Sequence, residues 1–115
     1  MEKNKIRVGI ASGDGKFVTR HFGHTDRFYI ADVTEDGFEG IGLRMCTPVC
    51  NMGEHNENDA EDAIDVLSDC DCVLVAKIGL GMQEFLKSHG IRFYEIADMI
   101  PVSLREVFRR ESEIQ

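Results

Sequence analysis

A chain of 115 residues, 43% hydrophobic and 30% charged, has the balance of one globular domain with a real core, which argues against disorder. Its formal net charge of −8 argues against a nucleic-acid partner, because phosphate backbones are met by basic footprints. No apolar run reaches the length of a membrane span, and the charged start Met1-Glu2-Lys3-Asn4-Lys5 is not a secretory leader. The expected location is therefore the cytoplasm, where Cys46, Cys50, Cys70 and Cys72 stay reduced.

Taken in order, Ile6 to Ala11 alternates large with small or polar residues and predicts a strand. A glycine-rich loop from Ser12 to His24 follows. Arg27 to Val33 is a second strand, rich in aromatic and β-branched residues. Glu35-Asp36-Gly37 predicts a hairpin turn. A third strand runs from about Phe38 to Met45, with Ile41, Leu43 and Met45 expected on one face. After a loop from Cys46 to Glu57, Asn58 and Glu61 suggest a capping box, and Ala60, Ala63, Ile64 and Leu67 share one helical face. Cys72 to Ala76 is an uninterrupted apolar run, as expected of a strand covered on both faces. Gly79-Leu80-Gly81 is a tight loop before a helix that buries Met82, Phe85 and Leu86 and stops at Gly90. Arg92 to Ile96 is a fifth strand. Ser103 with Glu106 suggests the start of a last helix, with Val102 stapled onto Val107.

The order β-β-β-α-β-α-β-α over residues 1–115 predicts a single domain of the α/β class. Three antiparallel strands are joined by two reached through right-handed crossovers, giving a five-stranded mixed sheet with helices on both faces, the ribonuclease H-like arrangement. That topology sends the loops after the first, third and fourth long strands to one end of the sheet, where open α/β sheets bind ligands.

The first of these loops carries Lys16, Arg20, His21, Phe22, Gly23 and His24. Imidazoles ligate transition metals, and Gly23 permits close approach to the backbone. The second carries Cys46, Cys50 and His55, a set that could ligate zinc or an iron–sulfur species, although C-x3-C is not zinc-ribbon spacing. The third carries Lys77, Gly79 and Gly81, whose N–H groups and charge suit an anion. Cys70 and Cys72 lie at the other end and read as structural. A ribonuclease H-type nuclease would need a carboxylate on the first strand, and Ile6 to Ala11 has none. A cysteine nucleophile paired with His21 or His24 has no orienting third group. No enzyme activity is expected.

Several stretches together resemble the dinitrogenase iron–molybdenum cofactor biosynthesis family: Val8-Gly9-Ile10-Ala11-Ser12, Arg20-His21-Phe22-Gly23-His24, Asp69 to Gly79, and Leu86 with His89-Gly90-Ile91. The likeness runs from about Ile6 to Phe108. It implies a ribonuclease H-like fold and non-catalytic binding of an iron–sulfur cluster, the iron–molybdenum cofactor or its precursor. Cofactor-assembly proteins are the implied partners. Lys16, Arg20, Arg27 and Lys77 would then balance the cluster's charge, with His21, His24, Cys46 and Cys50 as candidate ligands and Arg20, Gly23, Gly79 and Gly81 around them. Two other readings stand beside this one: a zinc module using Cys46, Cys50 and His55, and a ligand-free protein-interaction domain. The sequence selects no oligomeric state.

Overall fold

The computed structural model describes residues 5–114 except 49, 52, 53 and 56, and describes only the backbone of 50, 51, 54, 55 and 57–60. The elements are β1 (Ile6–Ile10), a 3-10 turn (Phe22–His24), β2 (Arg27–Thr34), β3 (Gly37–Met45), β4 (Cys50–Asn51), β5 (Glu54–His55), α1 (Glu57–Val66), β6 (Cys72–Val75), α2 (Leu80–Ser88), β7 (Arg92–Glu95) and α3 (Ile100–Ser112). The five long strands form one sheet in the order β3-β2-β1-β6-β7, and β4 pairs with β5. β1–β2 and β2–β3 are antiparallel, whereas β1–β6 and β6–β7 are parallel. This is the mixed sheet the sequence predicts.

Strand alternation sorts the core into two layers. On β1, Ile6, Val8 and Ile10 join Ile100, Leu104 and Val107 of α3 on one face. On the other face Phe28, Ile30, Val73 and Val75 pack with Ala63 and Leu67 on the α1 side and with Met82 and Leu86 of α2. Gly9 points at α1, and a methyl group there would meet Leu67 Cδ2 at 2.4 Å. The absent side chain is what lets this helical end lie so close to the central strand. All four β6 residues are fully buried, as the unbroken apolar run requires.

Four expectations need correction. Ala31 pairs with Gly40 and Ile30 with Gly42, so Ile41 is an extra residue in β3. The bulge breaks the alternation that would have aligned Ile41 with Leu43 and Met45. Asn58 lies inside α1 rather than capping it. α3 begins at Ile100, with Pro101 in its first turn, so Ser103 is a buried interior residue and not a cap. The fixed φ of proline suits a first helical turn, and that signal outweighs the Ser103–Glu106 pattern. Val102 is 44% exposed and lies inside α3, so it is not the residue before the cap that a staple requires.

At the lower end of the sheet, Arg7 Nε bonds Asp32 at 2.8 Å and its Nη1 bonds Asp69 at 2.8 Å. Arg44 Nη1 reaches Asp69 at 2.5 Å and the Val66 carbonyl at 2.8 Å. This network joins β1, β2 and β3 to the end of α1. The Arg7 guanidinium holds Asp32 below the usual carboxylate range, and Arg44 followed by Arg7 does the same for Asp69. A lowered folded pKa gives stability that is full above the unfolded value of about 4 and is lost as pH falls towards the folded value. Asp69→Asn is therefore expected to cost about 1 kcal/mol at pH 7, given the partial exposure of the network. It should cost much less near pH 2, giving a shallower acid limb. Thermal unfolding from pH 7 to 2 checks this, and an unchanged acid limb would remove Asp69 from the account.

Candidate functional site

Past the end of β1 the histidine loop takes over the parallel pairing with the chain that follows β6. Ala76 N–H donates to Arg20 O at 3.0 Å, Phe22 N–H donates to Lys77 O at 2.9 Å, and His21 pairs with Lys77. The histidine loop is thereby zipped onto the segment that follows β6. Phe22 anchors it from below, 1% exposed, with its ring centroid 6.0 Å from that of Phe28. With Phe22 and Gly23 buried, His21 and His24 on either side stay exposed, their ring centroids 6.0 Å apart. Phe22 was the residue in this loop least marked by sequence reasoning. Its signal was a lone aromatic between two polar neighbours.

Arg20 lies across Gly13, where even a methyl group would meet its guanidinium at 2.9 Å. Lys77 is exposed beside His21. α2 starts at this end with Gly79 as its N-cap, no side chain caps it, and no acidic residue stands in its first turn. The first-turn N–H groups, including that of Gly81, lack intrahelical acceptors and face outward with a partial positive charge.

Most cations of the described residues are spent on carboxylates: Lys5 and Arg7 on Asp32, Arg44 on Asp69, Arg92 on Glu111, and Arg109 and Arg110 on Glu106. Arg27, expected to face the ligand, bonds Asp26 at 2.9 Å instead. Lys16, Arg20, Lys77, Lys87 and Arg105 form no ion pair among the described residues, and the first three belong to the loop end.

Cys46 also reaches this end, because its N–H bonds the Asp26 carbonyl at 2.9 Å. Its thiol is half-buried and directed at the Thr25 carbonyl, 3.6 Å away. Burial, then the nearby Asp62 and Asp26 charges, push the thiol up to about 11. Among the described residues no three His, Cys, Asp or Glu side chains gather as a metal site, so Cys46 does not complete a set with His21 and His24. The backbone of β4 lies against the 3-10 turn, bringing the Cys50 main chain to the histidine loop. The side chains of Cys50 and His55 fall outside the described residues. At the opposite end Cys70 packs against the core and Cys72 is fully buried, as expected of structural thiols. No helix among the described residues is long and apolar enough to cross a membrane.

A five-stranded mixed sheet that gathers two imidazoles, three cations without ion pairs among the described residues and a helix N-terminus at one end defines a small α/β domain with a cationic loop cluster. The family model for dinitrogenase iron-molybdenum cofactor proteins matches residues 4–110, and the chain belongs to that family. It is 33% identical over 108 residues to the FeMo cofactor biosynthesis protein NifB of Frankia alni, covering 91% of this chain and 21% of that protein. It is 38% identical over 87 residues to NifB of Herbaspirillum seropedicae, covering 75% of this chain and 16% of that one. The chain thus spans about one fifth of the length of these relatives. The crystal structure of PH0822 superposes with a TM-score of 0.66 at 23% identity, covering 91% of this chain and 90% of that one. A Methanocaldococcus jannaschii crystal structure gives 0.57 at 13% identity, covering 94% and 91%. These two share the fold.

Proposed function

We propose that the domain takes part in iron–molybdenum cofactor biosynthesis as a non-catalytic binder of an anionic iron–sulfur cargo, the cofactor or a precursor of it. The observation that carries this reading is the pairing of the exposed His21 and His24 with Lys16, Arg20 and Lys77. Among the described residues these three cations form no ion pair, in a chain of net charge −8, although Asp26 lies close enough to Arg20 to feel its charge. An acidic protein that leaves positive charge unspent at one end has a place there for an anion. Imidazole nitrogen ligates iron, while uncapped N–H groups at Gly79 and Gly81 stabilise sulfide or other anionic edges of the cargo. Membership of the family and likeness to NifB support the same assignment.

Cys46 and Cys50 are the second pair of candidate ligands. Cys46 serves as one only after giving up its proton and its contact with Thr25, so its entry follows the first contact with iron. The cargo arrives from cofactor-assembly proteins and leaves to them, in the cytoplasm.

The test is anaerobic reconstitution with iron and sulfide, read by absorption and iron content, in the wild type and in a His21→Ala/His24→Ala variant. Wild type should become brown. The double variant should lose at least about tenfold in iron affinity, a loss typical of removing metal contacts, while its thermal midpoint stays within a few degrees because both rings are exposed. Equal iron in both proteins would remove the histidine loop from the site. A colourless wild type that retains zinc would overturn the cargo assignment.

A further inference from the structure

The turn that carries Lys77 is held by two side chains on different elements. Glu95, at the end of β7, accepts the Ile78 N–H through Oε2 at 3.1 Å. Gln83, in α2, donates through Nε2 to the Ile78 carbonyl at 3.1 Å. Both polar groups of one residue are thus bonded to side chains, and the Ile78 side chain itself is buried in the core beside Phe22. One residue earlier, Lys77 O receives the Phe22 N–H, which sets the height of the histidine loop. A route of hydrogen bonds and peptide links therefore runs from Glu95 and Gln83 through Ile78, Lys77 and Phe22 to His21 and His24.

Glu95 stands out for a second reason. It is an exposed carboxylate at the end of the sheet that also carries Lys16, Arg20 and Lys77. A negative charge there opposes an anionic ligand, so its presence calls for a compensating role. Its bond to Ile78 N–H supplies one.

We infer that Glu95 and Gln83 are positioning residues that clamp the Ile78 peptide and so set the placement of Lys77, His21 and His24. The clamp rests on the cargo reading for its purpose and on the geometry alone for its existence. Its essential chemistry is a hydrogen-bond acceptor at position 95, not a charge. Groups of this kind, one shell removed from a ligand, typically change metal affinity by about 10–100-fold when lost.

The experiment compares wild type with Glu95→Gln, Glu95→Ala and Gln83→Ala, using thermal midpoints to verify folding. The first arm uses no ligand and reads the amide NMR shifts of His21, Phe22 and His24. Both alanine variants should move these signals, whereas Glu95→Gln, which keeps an acceptor, should leave them close to wild type. The second arm reads iron retained after anaerobic loading with iron and sulfide. Both alanine variants should bind at least about tenfold more weakly, and Glu95→Gln should restore binding. Unmoved loop signals in the alanine variants overturn the clamp. Equal loss of iron in Glu95→Ala and Glu95→Gln also overturns it, because Glu95 would then act through its charge as a ligand. A wild type that takes up no iron ends the cargo reading, and the amide shifts still decide whether the clamp exists.

Discussion

Phe22→Ala is expected to lower stability by about 3–5 kcal/mol, the usual cost of truncating a fully buried aromatic residue. The ring is 1% exposed and packs in the layer formed by Phe28, Val75, Ile78 and Met82. Cavity formation is therefore the dominant cost, and the hydrogen bond from Phe22 N–H to Lys77 O is kept, since it belongs to the backbone. A domain of this size has about 5–15 kcal/mol in total, so the variant would stand near the edge of folding. Phe22→Leu retains most of the volume and should cost about 1.5 kcal/mol or less. Urea unfolding measures both. A loss below 1 kcal/mol for the alanine variant would mean that the loop is not anchored through this ring. The same residue that separates two exposed imidazoles is thus a core residue, so placement of the site is tied to the stability of the whole sheet.

Arg92→Met is expected to cost about 3 kcal/mol. Glu111 is a carboxylate 4% exposed on α3. It receives Arg92 Nε at 2.7 Å, Arg92 Nη2 at 2.6 Å and the Tyr94 hydroxyl. Burial and then the bond to Glu111 push the Tyr94 hydroxyl above its usual range, so it remains a donor at neutral pH. Removing the guanidinium leaves a buried charge with one neutral donor, and breaking such a pair costs about 3–5 kcal/mol. The 42% exposure of Arg92 argues for the lower end. Replacing both partners, Arg92→Met with Glu111→Leu, should recover most of the loss, since an apolar contact needs no compensation for desolvation. Denaturant unfolding of the two singles and the double closes the cycle. If the double variant is as unstable as the single, the cost lies in packing of α3 and not in the stranded carboxylate.

The strands were legible because their signals are local. Cys72 to Val75 is apolar without a break, Asp36-Gly37 marks a turn, and Gly90 takes a left-handed φ of 73° after α2 as a C-terminal glycine should. The helix start at Ile100 was missed because a Ser-x-x-Glu pattern competed with Pro101, and proline's fixed backbone angle prevailed. The β4–β5 hairpin carries no turn pair strong enough to announce itself. At the site, sequence spacing brought His21, His24, Lys77 and Gly79 to one end, since a parallel crossover fixes which ends coincide. It gave no sign that Arg27 is spent on Asp26, that the Cys46 thiol faces a carbonyl, or that Glu95 supports Ile78. Those contacts depend on rotamers and on residues up to 21 positions apart.

β3 is an outer strand of nine residues that pairs, among the described residues, with β2 alone. It contains neither lysine nor proline, the usual guards of such a margin, and its one arginine is turned inward to Asp69. Phe38, Leu43 and Met45 are each about half exposed along it. The bulge at Ile41, the charge of Glu39 and the inward turn of Arg44 guard that margin locally, and the mutual repulsion of negatively charged molecules adds a colloidal protection. That protection vanishes near pH 4.9, where the net charge approaches zero, and thins as salt shortens the reach of the field. The acidity of the chain therefore adds, for the whole molecule, to what a bulge and one glutamate do for a single strand.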